Sequence, residues 1–145
     1  MKAIHSVIEI NASAEKVWRV LTDFAAYPKW NPFVRIVEGE VSVGARLQVY
    51  IEPSSGNGML FSPTILVHEP NRELRWLGHL WLPGIFDGEH SFVIEPLGDG
   101  RVRFIQRERF KGLLLPFLSK MLDRDTQRGF EEMNRALKLR VESAL

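Results

Sequence analysis

The chain has 145 residues, which is enough for one domain that buries about two-thirds of its unfolded surface without a disulfide or metal to stabilise it. It contains no cysteine, so disulfides, thiol nucleophiles and zinc sites built from thiolates are excluded. The net charge is +1, and the lysine and arginine residues fall at alternating or helical spacings typical of a solvated face, so we do not expect nucleic-acid binding.

The first part of the sequence predicts a strand followed by two short helices. β-Branched residues are frequent from Ala3 to Ile10, as is typical of a strand. Ser13 is a candidate N-cap for a helix that runs to about Asp23, because apolar residues recur there at spacings of three and four. Two prolines prevent that helix from continuing, so a second, short helix is expected around Trp30.

Beyond Trp30 the apolar residues alternate, which predicts six further strands. These strands are Phe33–Glu38, Arg46–Glu52, Thr64–Glu69, Arg72–Leu80, Glu89–Leu97 and Arg101–Phe110. The turns between them, including a loop over Pro53–Pro63, leave no room for crossover helices, so the sheet is expected to be antiparallel. After Gly112 the helical spacing returns and predicts one long C-terminal helix. The expected fold is α+β: a curved, seven-stranded antiparallel sheet wrapped around that helix, in a single domain over residues 1–145.

The last two predicted strands can be aligned from the sequence. If their apolar residues share one face, the register is restricted to alternate positions, because a one-residue slip turns every side chain over. A three-residue loop at Gly98-Asp99-Gly100 then places Phe92 opposite Gln106 and His90 opposite Glu108. A looser loop would place Glu108 opposite Phe92 instead.

His90, Gln106 and Glu108 are therefore expected to project from the apolar face, where an unpaired carboxylate is costly. One interpretation is the polar end of an apolar cavity that orients a ligand. The other is a His–Glu hydrogen bond near the sheet edge that satisfies itself and serves no ligand. The remaining histidines have no partner at metal-ligand spacing, so no metal site is expected; they are His5, His68 and His79.

The predicted sheet is wider than the helix that covers it. A helix is about 10 Å across, whereas seven strands at a spacing of about 4.8 Å span considerably more. Part of the concave face is therefore either filled by bulky side chains or left as a cavity, in which a ligand would bind. The residues expected to contact that ligand are Val49, Ile51, Val67, Trp76, His90, Phe92, Gln106, Glu108, Phe117, Met121 and Phe130.

The order of elements, with the segments INASAEKVWRVLTDFAAYPKWNPF and GEHSFVIEPLGDGRVRFIQRERFKGLL, resembles the START-like SRPBCC superfamily and its bacterial polyketide cyclase/dehydrase-like branch. The resemblance covers essentially the whole chain, and its more specific parts are Trp30-Asn31-Pro32-Phe33 and Gly88-Glu89-His90. It implies a helix-grip fold around a deep apolar cavity, in a superfamily that binds lipids, sterols, polyketides and plant hormones. Oxygenase members of that superfamily hold iron with two histidines and a carboxylate, but the histidine spacing of this chain argues against iron.

Three hypotheses for function remain. The leading one is a non-catalytic protein that binds or transports a small hydrophobic molecule such as a lipid or polyketide. The alternative is a cyclase or dehydratase in which His90 and Glu108 form an acid/base pair, with Glu108 holding and polarising His90. The third is a chaperone- or membrane-associated module that uses the basic helix face and the apolar segment 113–122, although a lid over the cavity is the commoner role of such a segment.

The expected partner is thus a small hydrophobic ligand, bound without a cofactor by a monomer or homodimer. No apolar run approaches the roughly 18 residues of a membrane span, and the first ten residues lack the apolar segment of a signal peptide. We therefore expect a cytoplasmic protein, for which contact with a membrane surface is the less favoured alternative.

Overall fold

The structure is a computed structural model that describes residues 1–54, 56–80 and 82–143. Within these residues the strands are β1 (Lys2–Ile10), β2 (Val34–Glu38), β3 (Gln48–Ile51), β4 (Met59–Phe61), β5 (Thr64–Glu69), β6 (Glu73–His79), β7 (Asp87–Gly98) and β8 (Arg101–Lys111). The helices are α1 (Ala14–Thr22), α2 (Tyr27–Trp30), α3 (Leu115–Met121) and α4 (Gln127–Ser143). A 3₁₀ turn, Phe24–Ala26, precedes α2, and a π-helical turn, Leu122–Thr126, joins α3 to α4. The predicted α+β class is confirmed.

Local sequence explains the two short helices that follow β1. The Ser13 hydroxyl caps α1 by accepting a hydrogen bond from the backbone N–H of Lys16 at 3.2 Å. Pro28 lies in the first turn of α2, where the missing N–H would have had no helical partner. The helix ends where Asn31 takes an extended conformation, which the following Pro32 favours.

The strands form two sheets within the described residues, which corrects the expected single sheet of seven strands. A five-stranded antiparallel sheet has the order β1-β8-β7-β6-β5, and a three-stranded one has the order β2-β3-β4. The additional strand, β4, lies inside the segment predicted as the loop Pro53–Pro63. Three residues are too few to show alternation, and the Gly56-Asn57-Gly58 segment before them is typical of a turn, so the pattern concealed this strand.

The two sheets are connected where the segment before β3 meets the start of β5. The backbone N–H of Leu47 donates to Pro63 O at 2.8 Å, and the N–H of Ile65 donates to Ala45 O at 2.9 Å. A continuous series of paired backbones therefore runs from β1 round to β4. It forms the curved antiparallel wall of the fold.

The register predicted for the last hairpin is confirmed. β7 and β8 place Phe92 opposite Gln106 and His90 opposite Glu108, as the tighter of the two loops requires. Because side chains alternate along a strand, Gln106 and Glu108 project from the same face of β8. The register thus brings the three polar residues of the apolar face together.

The turn that closes this hairpin is shorter than the predicted three-residue loop. Asp99 and Gly100 have φ values of 56° and 72° and form a two-residue turn in the left-handed conformation that such hairpins require. An irregularity between Pro96 and Gly98 inserts one residue into β7 and restores the predicted register beyond it. A two-residue turn with a bulge and a three-residue loop therefore give the same pairing in the rest of the hairpin.

The C-terminal helix covers one half of the concave face. α4 packs against β1 and α1, and its buried side chains include Phe130, Met133, Leu137 and Val141. Gly129 allows a close approach to the segment before β2, because a side chain at this position would overlap the ring of Phe33. The other half of the face, towards β3, β4 and β6, lies beneath the π-helical turn instead.

The π-helical turn corrects the expectation of one regular C-terminal helix. The backbone stays helical from 115 to 143, but residues Leu122–Thr126 take the wider π conformation. Such turns are rare and occur frequently at functional sites. None of the helices in the described ranges is both long and apolar enough to cross a membrane.

Candidate ligand-binding site

A cavity of about 390 Å³ lies between the three-stranded sheet, the inner face of β6, β7 and β8, and the π-helical turn. It occupies the part of the concave face that α4 leaves uncovered. Its larger apolar side chains are Phe33, Val34, Ile51, Met59, Phe61, Trp76, Leu80, Phe86, Phe110, Met121 and Leu122. Its titratable side chains are His79, His90, Glu108, Arg124 and Asp125.

The structure brings part of the predicted site together on this wall. The predicted residues that line the cavity are Ile51, Trp76, His90, Glu108 and Met121. The predicted residues that are completely buried but do not line it are Val49, Phe92, Gln106 and Phe130. A sequence pattern shows which face a side chain lies on, but not how far along that face the covering helix extends.

Two predicted ligand contacts, Val67 and Phe117, are corrected by the structure. An irregularity between Ile65 and Val67 pairs Val67 with Arg75, whose neighbour Trp76 faces inward, so Val67 lies on the outer face of the sheet. Phe117 is 82% exposed at the start of α3 and does not line the cavity. A bulge and the rotation of a short helix about its axis were not visible in the apolar spacing.

The cavity wall also contains residues that the sequence prediction missed, and Asn31 positions two of them. Its completely buried side chain accepts hydrogen bonds through Oδ1 from the backbone N–H groups of Phe33 (3.0 Å) and Val34 (2.9 Å). This local capping bends the chain from α2 into β2 and holds both side chains at the wall. The Trp30-Asn31-Pro32-Phe33 segment therefore has a structural role at the site. It is the signal from which these residues could have been predicted.

A continuous set of hydrogen bonds leads from β1 through α4 to His90. Asn134 Nδ2 donates to Ser6 Oγ at 3.0 Å, and Asn134 Oδ1 accepts from Gln106 Nε2 at 2.7 Å. Gln106 Nε2 also points to the backbone carbonyl of Phe130 at 3.4 Å. Finally, Gln106 Oε1 lies 3.0 Å from His90 Nε2. These buried polar groups therefore satisfy one another beneath α4.

This network determines which nitrogen of His90 carries the proton. A backbone carbonyl can only accept, so the contact with Phe130 O fixes Nε2 as the end of the Gln106 amide that faces α4. The other end, Oε1, can only accept, so His90 Nε2–H must donate to it. In the neutral imidazole the second nitrogen, Nδ1, then carries a lone pair. It faces Glu108, whose Oε1 is 3.6 Å away.

Burial determines the charge of both partners. Burial lowers the pKa of His90 to about 3, although the hydrogen bond with Gln106 opposes the shift. Burial also raises the pKa of Glu108 to about 8. At pH 7 we therefore assign a neutral imidazole and a protonated carboxyl group. Glu108 is then the acid of the pair, and it does not polarise His90 as a carboxylate would.

Gly88 makes room for the Glu108 carboxyl group. A side chain at position 88 would overlap Glu108 Oε2 and approach the ring of Phe110. Gly88 lies on the cavity wall, and the Glu108 side chain retains 15% of its exposure. The carboxyl group therefore lies in a gap in the wall that the missing side chain of Gly88 leaves.

Two ion pairs include residues of the cavity wall. His79, predicted as a strand residue without a metal-ligand partner, pairs with Asp87 at 2.7 Å, and Arg124 pairs with Asp125 at 2.9 Å. Although burial opposes it, hydrogen bonds from His79 and from the backbone N–H of Gly84 lower the pKa of Asp87. Within the described residues, no three His, Asp or Glu side chains form a group that could hold a metal ion.

Several solved structures share this fold. The Zhui aromatase/cyclase from Streptomyces sp. R1128 aligns with a TM-score of 0.80 and 17% identity, over 97% of this chain and 93% of that one. A START superfamily protein from Mycobacterium smegmatis aligns with a TM-score of 0.72 and 23% identity, over 97% of each chain. A norcoclaurine synthase from Thalictrum flavum aligns with a TM-score of 0.73 and 16% identity, over 97% and 94%. At these identities the likenesses establish the helix-grip fold alone.

The family of the chain is identified by its sequence. No curated protein sequence is significantly similar to it. A family model described as polyketide cyclase / dehydrase and lipid transport, however, matches residues 1–142, which is nearly the whole chain. The chain therefore belongs to the polyketide cyclase / dehydrase and lipid transport family.

Proposed function

We propose that residues 1–145 act as a single ligand-binding domain that holds a small hydrophobic molecule, such as a lipid or polyketide, as a non-catalytic binding or transport protein. The observation that carries this proposal is the cavity of about 390 Å³ with its mainly aromatic and aliphatic wall. Small-molecule sites typically have volumes of about 300–1,000 Å³ and walls of this kind. Lipid transport is also part of the description of the family.

The apolar wall supplies the driving force for such binding. Ile51, Met59 and Phe61 on the three-stranded sheet are large apolar side chains that remain only half-buried. A hydrophobic ligand would remove their exposed area from water, and each Å² of apolar area contributes about 25 cal/mol. The charged side chains of the wall belong to ion pairs, so the cavity is suited to an uncharged guest.

A thermal-shift screen of medium-chain lipids and aromatic polyketide analogues tests the proposal. We expect at least one class to raise the Tm, because a ligand that binds only the folded state stabilises it. Met121→Trp, which fills the cavity, should reduce affinity for that ligand at least tenfold. The matched control Leu139→Trp adds the same ring at an exposed position of α4 and should bind like the wild type. A screen without any hit, or a Met121→Trp variant that binds normally, would contradict the proposal.

A second candidate is a cyclase or dehydratase, which the position of Glu108 favours. A carboxyl group that holds its proton at pH 7 beside a cavity can act as a general acid towards a substrate oxygen. His90 presents its unprotonated Nδ1 to Glu108 at 3.6 Å, but its pKa of about 3 makes it too weak a base to take that proton, so Glu108 alone carries the acid role. In this candidate Glu108→Gln should reduce turnover of a polyketide-type ketone at least a hundredfold while changing its Kd only a few-fold. Unchanged turnover rejects this role.

A further inference from the structure

We propose that Glu108 recognises its ligand as a hydrogen-bond donor, and that the molecule bound in the cavity is a hydrophobic compound with a neutral carbonyl group at its buried end. This inference rests on the ligand-binding function proposed above and specifies the chemistry of the ligand. Three features of the structure lead to it: the position of the carboxyl group, the tautomer of His90 and the charges around the cavity.

The carboxyl group of Glu108 is placed to meet a ligand. Its side chain projects inward from β8 and reaches the cavity wall, where it keeps 15% of its exposure. Among the described residues it has no hydrogen-bond partner, and His90 Nδ1 lies 3.6 Å from Oε1, which is longer than a hydrogen bond. Gly88 leaves the space in which Oε2 lies. The carboxyl group therefore retains hydrogen-bonding capacity that the described residues do not use.

The network beneath α4 makes this group a donor. Because the Gln106 amide requires a proton on His90 Nε2, the Nδ1 lone pair faces Glu108. A carboxylate beside a lone pair on an apolar wall would be desolvated without compensation, so the protonated form is favoured there. The hydroxyl of this protonated carboxyl group can donate to a ligand oxygen, while its carbonyl oxygen is directed away from that ligand oxygen. A carbonyl oxygen, which only accepts, is the complementary ligand group.

Within the part of the chain that the structure describes, Glu108 has no charged counter-ion. From β7, the neutral His90 faces it; from β1, its strand partner is the apolar Ile4. The other titratable groups on the cavity wall belong to ion pairs: His79 of β6 with Asp87 of β7, Arg124 with Asp125 in the π-helical turn. Lys2, at the start of β1, pairs with Asp123 of the same turn. Among the described residues of the cavity wall, these pairings leave no unpaired cation for a ligand carboxylate, which favours a neutral carbonyl.

Three naphthalenes of nearly equal size test this inference by titration calorimetry: 2-acetylnaphthalene, 2-ethylnaphthalene and 2-naphthoate. We expect the ketone to bind wild-type protein at least tenfold more tightly than the ethyl compound at pH 7, and naphthoate to bind most weakly. Because the pKa of Glu108 is about 8, raising the pH from 7 to 9 should weaken ketone binding about tenfold. The ethyl compound should bind equally at both pH values.

Variants separate the donor from the charge. Glu108→Gln keeps an N–H donor but cannot ionise, so its ketone preference should persist and become independent of pH. Glu108→Leu should remove the preference at every pH, and Glu89→Gln, on the outer face of β7, should behave like the wild type. The pH profile of the wild type needs no variant, so it remains decisive if a substitution impairs folding.

The outcomes distinguish this inference from the proposed function. Equal binding of the ketone and the ethyl compound at both pH values would overturn the inference and leave the hydrophobic binding function intact. Tightest binding of naphthoate would do the same, because it would require a cation in the cavity. Failure of all three compounds to bind would reject the inference, and the screen of lipids and polyketides would then decide the proposed function separately.

Discussion

The two halves of the concave face fill the same kind of space in different ways. Beneath α4, the rings of Phe92, Phe104 and Phe130 are completely buried. The first two lie 6.4 Å apart between centroids, and the third stacks on His90 at 4.8 Å. Beneath the π-helical turn, Met59 and Phe61 remain half-buried around a cavity of about 390 Å³. One half is a packed core, and the other is a surface that still has apolar area to bury.

The polar groups divide at the same boundary. Gln106 and Glu108 project from the same face of β8 and are only two residues apart, roughly 7 Å along the strand. Gln106 makes hydrogen bonds at both ends of its amide, to His90 and to Asn134. Glu108 makes none within hydrogen-bond distance among the described residues. The difference indicates that polarity is used for structure on one side of this boundary and is available to a ligand on the other.

The largest expected effect is on the packed half. Phe130→Ala should reduce the free energy of unfolding by about 3–5 kcal/mol, because it leaves a cavity among rings that cannot collapse into it. Phe61→Ala, on the half-buried wall, should cost about 1 kcal/mol, since part of its ring is already exposed in the folded protein. Urea denaturation measures both. Equal losses would show that the two halves do not differ in packing.

A smaller loss is expected when the buried network is broken. Gln106→Leu should cost about 1–3 kcal/mol, because it leaves the His90 N–H and the Asn134 Oδ1 without partners under α4. Gln48→Leu, at an exposed position of β3, is the matched control and should change stability by less than about 0.5 kcal/mol. If both variants unfold at the same urea concentration, the network does not stabilise this half.

The residues on the inner face of β7 and β8 could be predicted from the sequence, because they depend only on the alternation of side chains along two neighbouring strands. Alternation and a Gly-Asp-Gly turn suffice to place His90 opposite Glu108, and the structure has that pairing. The same reasoning does not give the interactions of these residues. The tautomer of His90 depends on Asn134 and on the carbonyl of Phe130, both in α4, which are distant in sequence.

The rest of the site could not be predicted because it depends on irregular backbone. A three-residue strand, a bulge before Val67 and a π-helical turn each change which side chains reach the cavity. None of these three features produces a recognisable spacing of apolar residues in the sequence. Phe117 shows the converse error: the sequence predicts that it contacts the ligand, but it is exposed. Its segment is largely apolar, but only one side of the helix is covered, and Phe117 lies on the other side.

Two glycines sharpen the comparison, since each allows a close contact in a different half. Gly129→Ala should cost about 1–3 kcal/mol, because the added methyl group overlaps the buried ring of Phe33. Gly88→Ala should cost less than about 1 kcal/mol, because the overlapping atom is the end of the flexible Glu108 side chain. It should instead weaken binding of a carbonyl ligand by displacing the donor. Thermal unfolding and titration with 2-acetylnaphthalene measure the two effects, and a Gly88→Ala protein with normal ketone affinity would contradict the placement of Glu108.

The smallest effect concerns pH and tests whether Glu108 is protonated without any ligand. Its folded pKa of about 8 lies above its ordinary value of 4.5, so its contribution to stability is complete below pH 4.5 and is lost as the pH rises through 8. His90, whose pKa is lowered, contributes above its ordinary value of 6.5 and loses that contribution only as the pH falls, so it stays constant from pH 7 to 9. Between pH 7 and pH 9 the free energy of unfolding of the wild-type protein should therefore fall by about 1 kcal/mol relative to that of Glu108→Gln, which cannot ionise.

Urea denaturation at pH 7, 8 and 9 measures this difference, with Glu89→Gln as the control that should follow the wild type. The comparison cancels every other group that titrates in this range, because those groups are common to all three proteins. Parallel profiles for wild type and Glu108→Gln would mean that the carboxyl group is already ionised at pH 7. Gln106 would then be a neutral, fully hydrogen-bonded group and Glu108 a charged one. An ionised Glu108 has no proton, so it could not act as a hydrogen-bond donor to the ligand.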